Sequence, residues 1–439
     1  MSSSKNNFSS GHLKKELGLT ELIAIGVGGM IGGGIFSILG LAVDVSGHAA
    51  PFAFMIGSLI AAIAGYSYVR LALTYRNDGA SFTYLEKAFP QQLWIAGIAG
   101  WTVVFGYIGT LALYAFTFGA YSSHLFGFAQ SPLIQIILSS SGLLLFLGIN
   151  LIGASTMGKA EDIAVYIKIA LLAILAIVGL YTINGQQLHP LFDHGGSSVL
   201  LGGALIFVAF EGFQLITNAV NEIRDPERNI PRGLYGSIAI TSIIYIVIAL
   251  VAVGNLDATA IHAAQEYALA AVAKPIMGNL GVVLVDIAAM LATASAINAT
   301  IFGASHLAFQ IAHDKLAPNV FSFRNREGVP MAAAVTITIL SLLLAAFGGL
   351  ELIASFSSLT FLLVSIAVCI ANLKLRSETN SAITPVLAGI VLMVVTVALL
   401  IIYLVAHNIG ALYFSLFAYS LVVINFVVFR QISRKHQQT

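Results

Sequence analysis

Apolar runs of about twenty residues recur along the chain, divided by short polar segments that hold most of its Lys and Arg. A helix needs roughly 20 apolar residues to cross the hydrocarbon core of a bilayer. By that measure the pattern predicts twelve spans, near residues 20–44, 49–73, 92–124, 132–152, 162–183, 198–220, 232–254, 280–312, 331–349, 352–373, 383–405 and 410–430. The third and eighth are long enough to tilt strongly or to run on into solvent. Between the seventh and eighth, "LDATAIHAAQEYALAAVAKPIMG" is semi-polar and predicts a helical hairpin lying on the bundle.

Composition narrows the class. Of 439 residues, 58% are hydrophobic and 9% charged, with a mean hydropathy of +0.94. Soluble domains are about 25% charged, so the chain reads as one polytopic membrane bundle in a lipid bilayer. A net charge of +1 gives no reason to expect a nucleic-acid partner. The single cysteine, Cys369, lies in an apolar run and reads as a packed core thiol. The stretch "MSSSKNNFSSGHLKKELGLTE" is a polar tail without the apolar core of a signal peptide.

Charge in the loops orients the bundle, because cytoplasmic loops accumulate Lys and Arg. One set of alternate segments holds Lys5, Lys14, Lys15; Arg70, Arg76, Lys87; Lys159; Arg224, Arg228, Arg232; Lys315, Arg324, Arg326; Lys374, Arg376; and Arg430, Arg434, Lys435. These are 18 of the 20 basic residues, and the opposite loops hold only Lys274. The asymmetry predicts a cell-membrane protein with both termini in the cytoplasm. The twentieth basic residue, Lys168, falls inside the fifth span.

The first span contains "GVGGMIGGGIF", Gly26 to Phe36, with six glycines. Each glycine costs a helix about 1 kcal/mol against alanine. The register does not fit a dinucleotide fingerprint, and the Gly-Lys-Ser/Thr of a phosphate loop is missing. Close helix packing is the competing reading, since Gly28 and Gly32, and Gly29 and Gly33, have small-xxx-small spacing. The sharper reading is a discontinuous helix. Irregular backbone at membrane depth is tolerated where it lines a cavity, and a half-helix start presents free N–H groups to an anion such as a carboxylate.

These residues resemble the amino acid–polyamine–organocation (APC) superfamily. "GVGGMIGGGIF" looks like its Gly-x-Gly-Ile segment, and "FVAFEGFQLITNAVNEIRDPERNIPRG" looks like its second signature, most specifically in Asp225 to Arg232. The likeness covers nearly all the spans and is nearest to the prokaryotic proton-coupled broad-specificity amino-acid transporters. It implies an all-α membrane protein with 12 transmembrane helices in a five-plus-five inverted repeat (the LeuT-like fold), spans 1 and 6 being discontinuous. The organisation would be a cytoplasmic tail 1–19, repeat one at 20–184, repeat two at 198–376, spans eleven and twelve at 383–430 and a cytoplasmic tail 431–439.

The resemblance also implies a site. The substrate would meet Met30, Ile31, Gly32, Gly33 and Gly34 of span one, and Val208, Glu211 and Gly212 of span six. Relatives often have an apolar residue at the place of Glu211, so this carboxylate raises the weight of cationic amino acids or amines. In proton-coupled relatives a lysine in span five stands where sodium-coupled members hold their ion. Lys168 would therefore bond carbonyls of unwound span one near Gly28 or Gly29, with Thr293 or Ser295 nearby, and Lys168, Gly28 and Glu211 would form the proton-coupling set.

The remaining polar residues divide between site and packing. Tyr107 and Asn298 are candidates to line the site, though isolated polar groups in bundles commonly join helices. Gln214 reads as an interhelical hydrogen bond, and Asp286 as part of an outer vestibule. His306 and His313 share a helix face without a third ligand, so no metal is expected. Nor is any cofactor. The sequence has no H-E-x-x-H, G-x-S-x-G or paired-acid motif of an enzyme, and its short loops leave no room for a channel filter. The expected activity is amino-acid import by proton symport; the alternative is transport or exchange of amines, polyamines or cationic amino acids.

Overall fold

The computed structural model describes residues 17–77, 80–152 and 158–436, apart from the side chains of 158–164, 265 and 432–436. Lys5, Lys14, Lys15 and the side chains of Lys159, Arg434 and Lys435 fall outside that set, as do most of the two predicted tails. The described chain is helical, with one isolated bridge between Leu17 and Ile223.

The first predicted span is two helices, α1 (Leu19–Met30) and α2 (Gly34–Ser46). At 1.5 Å per residue each covers roughly 20 Å, about half a membrane with its headgroups. There follow α3 (Ala50–Tyr75), α4 (Ala80–Ala88), α5 (Leu93–Leu125), α6 (Pro132–Ile152) and α7 (Gly158–Tyr181). The sixth predicted span is α8 (Ser197–Leu205), a 3-10 stretch at Ile206–Gln214, and α9 (Leu215–Asn218). Next come α10 (Pro226–Asn255), α11 (Ala258–Ala263) and α12 (Ala268–His313). The chain closes with α13 (Met331–Phe347), α14 (Leu350–Lys374), the short α15 (Arg376–Thr379), α16 (Ile383–His407) and α17 (Ile409–His436).

Among the described residues nine helical stretches are long and apolar enough to cross a membrane. One of them is the continuous run from Gly34 to Tyr75. Three shorter apolar helices, Leu19–Met30, Val165–Tyr181 and Met331–Phe347, lie where spans were predicted. The chain is thus a multi-pass membrane protein.

Two features depart from the hydropathy reading. Helix α4 occupies a segment read as a basic loop; it buries Phe82, Tyr84 and Leu85. Helix α10 starts six residues before the predicted edge at 232, with Pro226 in its first turn, where a missing N–H costs nothing. The predicted hairpin consists of α11 and the first ten residues of α12, which turns at Gly278 with φ +65° before its long leg.

Packing places α5 at the centre, with its apolar window mostly enclosed, whereas α6, α16 and α17 are peripheral. Large exposed side chains such as Ile402, Val405, Phe417 and Ile424 on α16 and α17 suit a lipid-facing surface. At the basic-rich end, Leu17 N–H donates to Glu222 O at 2.7 Å and Arg224 N–H to Leu17 O at 3.0 Å. These bonds tie the entry of α1 to the exit of the sixth span.

Candidate functional site

The glycines of the first span serve two purposes. Those inside α1 are packing positions. A Cβ on Gly26 would strike Ser237 of α10, and one on Gly29 would lie 2.6 Å from Leu215 and 3.2 Å from the Gly212 backbone. On Gly28 it would sit 3.0 Å from Val165 of α7. The glycines after Met30 form the break. Residues 31–33 make a turn, and the Gly32 and Gly33 N–H groups have no backbone acceptor among the described residues. Both the packing and the break readings hold, for different residues.

The break is held by hydroxyls. Tyr245 Oη of α10 donates to Met30 O at 2.6 Å and lies 3.3 Å from Ala209 O, so one phenol spans both interrupted segments. Ser37 Oγ donates to Gly33 O at 2.6 Å and lies 2.7 Å from Thr117 Oγ1 of α5. Tyr121 Oη, also on α5, donates to Phe36 O at 3.0 Å.

The sixth span is interrupted too, by a change to a tighter helix. Nine residues of 3-10 helix, Ile206 to Gln214, replace α-helix, although runs beyond three or four residues are uncommon. The reason lies in "IFVAFEGFQ". A 3-10 helix has three residues per turn, and Phe207, Phe210 and Phe213 recur at that period, all fully buried. Phe210 packs on Tyr245 with ring centroids 5.3 Å apart, and Phe213 on Tyr68 at 5.4 Å. A second stripe, Ala209 and Gly212, faces α1; a Cβ on Gly212 would collide with the Gly29 and Met30 backbone. Val208, Glu211 and Gln214 form the third stripe. Ser358 of α14 braces the turn, accepting from Val208 N–H at 3.0 Å and donating to Leu205 O at 2.5 Å.

The third stripe carries the unpaired polar atoms. Glu211 is 3% exposed, and its Oε1 has no hydrogen-bond partner; Gln214 Nε2, one turn on, has none either. Gln214 therefore does not make the expected side-chain bond to a neighbouring helix through that nitrogen. Tyr68, Tyr107 and Tyr114 lie within electrostatic reach of Glu211. Tyr107 is nearly buried, edge-on to Phe361 at 5.8 Å. The Tyr114 ring packs directly on Gly33. Met30, Ile31, Gly32, Gly33, Gly34, Val208 and Gly212 are all buried, so this centre is shielded from solvent.

Behind the break, Lys168 is fully buried, and its Nζ donates to Gly28 O at 2.9 Å. The Thr293 hydroxyl donates to Ala289 O at 2.7 Å in its own helix. Asn298 takes the packing role: Asn150 Nδ2 of α6 donates to its Oδ1 at 2.7 Å. Asp286 pairs with His124 at 2.9 Å at the basic-poor end of the bundle. His306 bonds Phe302 O, His313 is paired with Asp314, and no group of three metal-ligand side chains occurs among the described residues. Tyr245 and Ser358 were missed in the sequence, since single hydroxyls in apolar helices look like any helix-joining residue. The three-residue phenylalanine period was a readable sign of the 3-10 turn.

A bundle of apolar helices around a broken helix, with the buried side chains of Lys168 on Gly28 O and of Glu211 in the turn packed on α1, has the make-up of a membrane carrier. The family model described as amino acid permease matches residues 17–429, and the chain belongs to that family, within the APC superfamily. Its members are transporters, not enzymes. The chain is 29% identical over 427 residues to an uncharacterized protein of Methanocaldococcus jannaschii, covering 96% of this chain and 97% of that one. It is 27% identical over 388 residues to the inner membrane transport protein YbaT of Escherichia coli K12, with 87% and 89% covered. It is also 23% identical over 389 residues to the branched-chain amino acid permease BcaP of Bacillus subtilis, covering 82% of each.

Proposed function

We propose that the protein imports amino acids across the cell membrane by proton symport with alternating access. The observation that carries this reading is the Lys168 side chain bonded to Gly28 O, on the same broken helix whose Gly32 and Gly33 N–H groups have no backbone acceptor among the described residues. The start of α2 adds the positive end of a helix dipole to those N–H groups. Together they suit a substrate carboxylate. Glu211 Oε1 accepts from the amino group or a cationic tail, and Met30, Ile31, Val208 and Tyr107 enclose the body of the solute. A protonated Lys168 holds α1 through the Gly28 carbonyl; a neutral one releases it. The proton and the solute then act on one movable segment.

The wider architecture belongs to the same proposal. Joining α1 to α2 as one span, the long and short apolar helices make twelve, with both termini cytoplasmic. In the five-plus-five repeat, α1 with α2 opens one half, and α8 with its 3-10 turn opens the other. The second reading, transport or exchange of cationic amino acids or amines, is favoured by the unpaired Glu211 oxygen. Uptake of a panel of labelled amino acids and amines into proteoliposomes, with and without a pH gradient, tests both. Concentrative uptake of neutral amino acids that follows the proton gradient supports symport. Uptake confined to cations, or dependent only on internal counter-substrate, supports the second reading.

A further inference from the structure

At the basic-poor end of the bundle, external in the proposed orientation, lies a cavity of about 320 Å³. It is bounded by α5, α6, the 3-10 turn Gln265–Tyr267 and the end of α13. No residue of the helix break lines it. Phe116, Pro132, Ala345 and Phe347 give it apolar walls.

Its polar lining is Gln130, Gln135, Ser139 and Glu266, of which Gln135 and Glu266 bear on binding. Glu266 is half-buried and is the one charged side chain among the described residues lining the cavity. Gln135 is 9% exposed, and its Nε2 has no hydrogen-bond partner within 3.5 Å among the described residues. A buried amide donor left unmade carries a desolvation penalty, so native proteins rarely keep one without a reason. Burial pushes the Glu266 carboxyl above the ordinary glutamate range, and the Gln135 side chain beside it offsets part of that. The turn is fixed from behind. The Tyr267 ring stacks on His124 at 4.3 Å, and His124 pairs with Asp286 at 2.9 Å.

We propose that this cavity binds a small primary-ammonium cation with an apolar body and a neutral hydrogen-bond acceptor close to the nitrogen. The ammonium, which has donors and no acceptor, bonds Glu266. The neutral acceptor receives a hydrogen bond from the Gln135 Nε2–H. The body lies against Phe116 and Phe347. A zwitterion fits worse, because its carboxylate would face Glu266 with no cationic side chain to balance it. The site is distinct in place from the helix break.

The probe is L-phenylalaninol, with zwitterionic L-phenylalanine as reference, in equilibrium binding to the purified full chain in detergent. The expected result is saturable phenylalaninol binding that Glu266→Gln weakens by roughly 10- to 150-fold, the factor for losing a hydrogen bond to a charged group. Gln135→Leu is expected to weaken it several-fold, and Glu227→Gln, at an exposed position of the basic-rich end, to leave it unchanged. Thermal unfolding of each variant checks that the fold persists. Three results would overturn the proposal: no saturable binding to the unaltered protein at about 10 mM, equal binding by Glu266→Gln, or a loss seen in Glu211→Gln and not in Glu266→Gln. The assay reads binding without transport, so its failure and that of the symport reading are separable.

Discussion

Glu211 and Tyr245 act on the same few ångströms of backbone in opposite ways. Glu211 places an unpaired carboxylate oxygen in a shielded centre, where a charge costs roughly 2.5–3.5 kcal/mol on insertion scales. On the proposed function, substrate supplies the missing partner. Glu211→Gln should reorder the substrates, with cationic ones losing roughly 10- to 150-fold in affinity. Competition for uptake by a panel of unlabelled solutes measures this, and an equal loss for all would make Glu211 structural. Tyr245 instead holds the break closed through Met30 O and Ala209 O. Tyr245→Phe should lower stability by about 1–3 kcal/mol, the penalty of a buried acceptor left without its donor. Thermal unfolding in detergent checks it. Glu211 and Lys168 were legible in the sequence because a charge within an apolar run stands out. Tyr245 was not, because its role depends on which two helices happen to face it.

Between elements, the contact of α1 with the 3-10 turn is backbone on backbone. Gly212 allows it, and an added methyl would collide with Gly29 and Met30. Gly212→Ala should separate the two segments, lowering thermal stability and abolishing uptake at matched protein density. Wild-type behaviour in both assays would show that the contact is dispensable. The Asn150–Asn298 bond joins α6 to α12 away from that contact. A double-mutant cycle to alanine should give a coupling of about 0.6–1.7 kcal/mol, the range for hydrogen bonds between membrane helices, with substrate affinity unchanged. The break in the first span was legible because Gly32, Gly33 and Gly34 are consecutive. The interruption of the sixth span followed from the resemblance, but its form did not: phenylalanine at every third position favours a tighter helix. Helix α4 was missed because Ser81 and Thr83 disguise the buried Phe82 and Tyr84.

For the whole molecule, hydropathy located the apolar helices to within a few residues at most edges, because a bilayer demands length and apolarity together. Sequence does not state how helices pack, so the centre around α5 and the brace from α14 emerged only in three dimensions. The central claim is that Lys168 links a proton to the movable first helix. Its ammonium bonds Gly28 O at 2.9 Å, and alanine removes that link without touching the Gly32 and Gly33 N–H groups. The most direct measurement is uphill uptake into proteoliposomes under an imposed proton gradient, with Lys168→Ala beside the unaltered protein at equal density. The expected result is that the variant loses gradient-driven accumulation while retaining exchange of internal for external substrate. Full concentrative uptake by Lys168→Ala would contradict the claim and leave Glu211 as the group to test for carrying the proton.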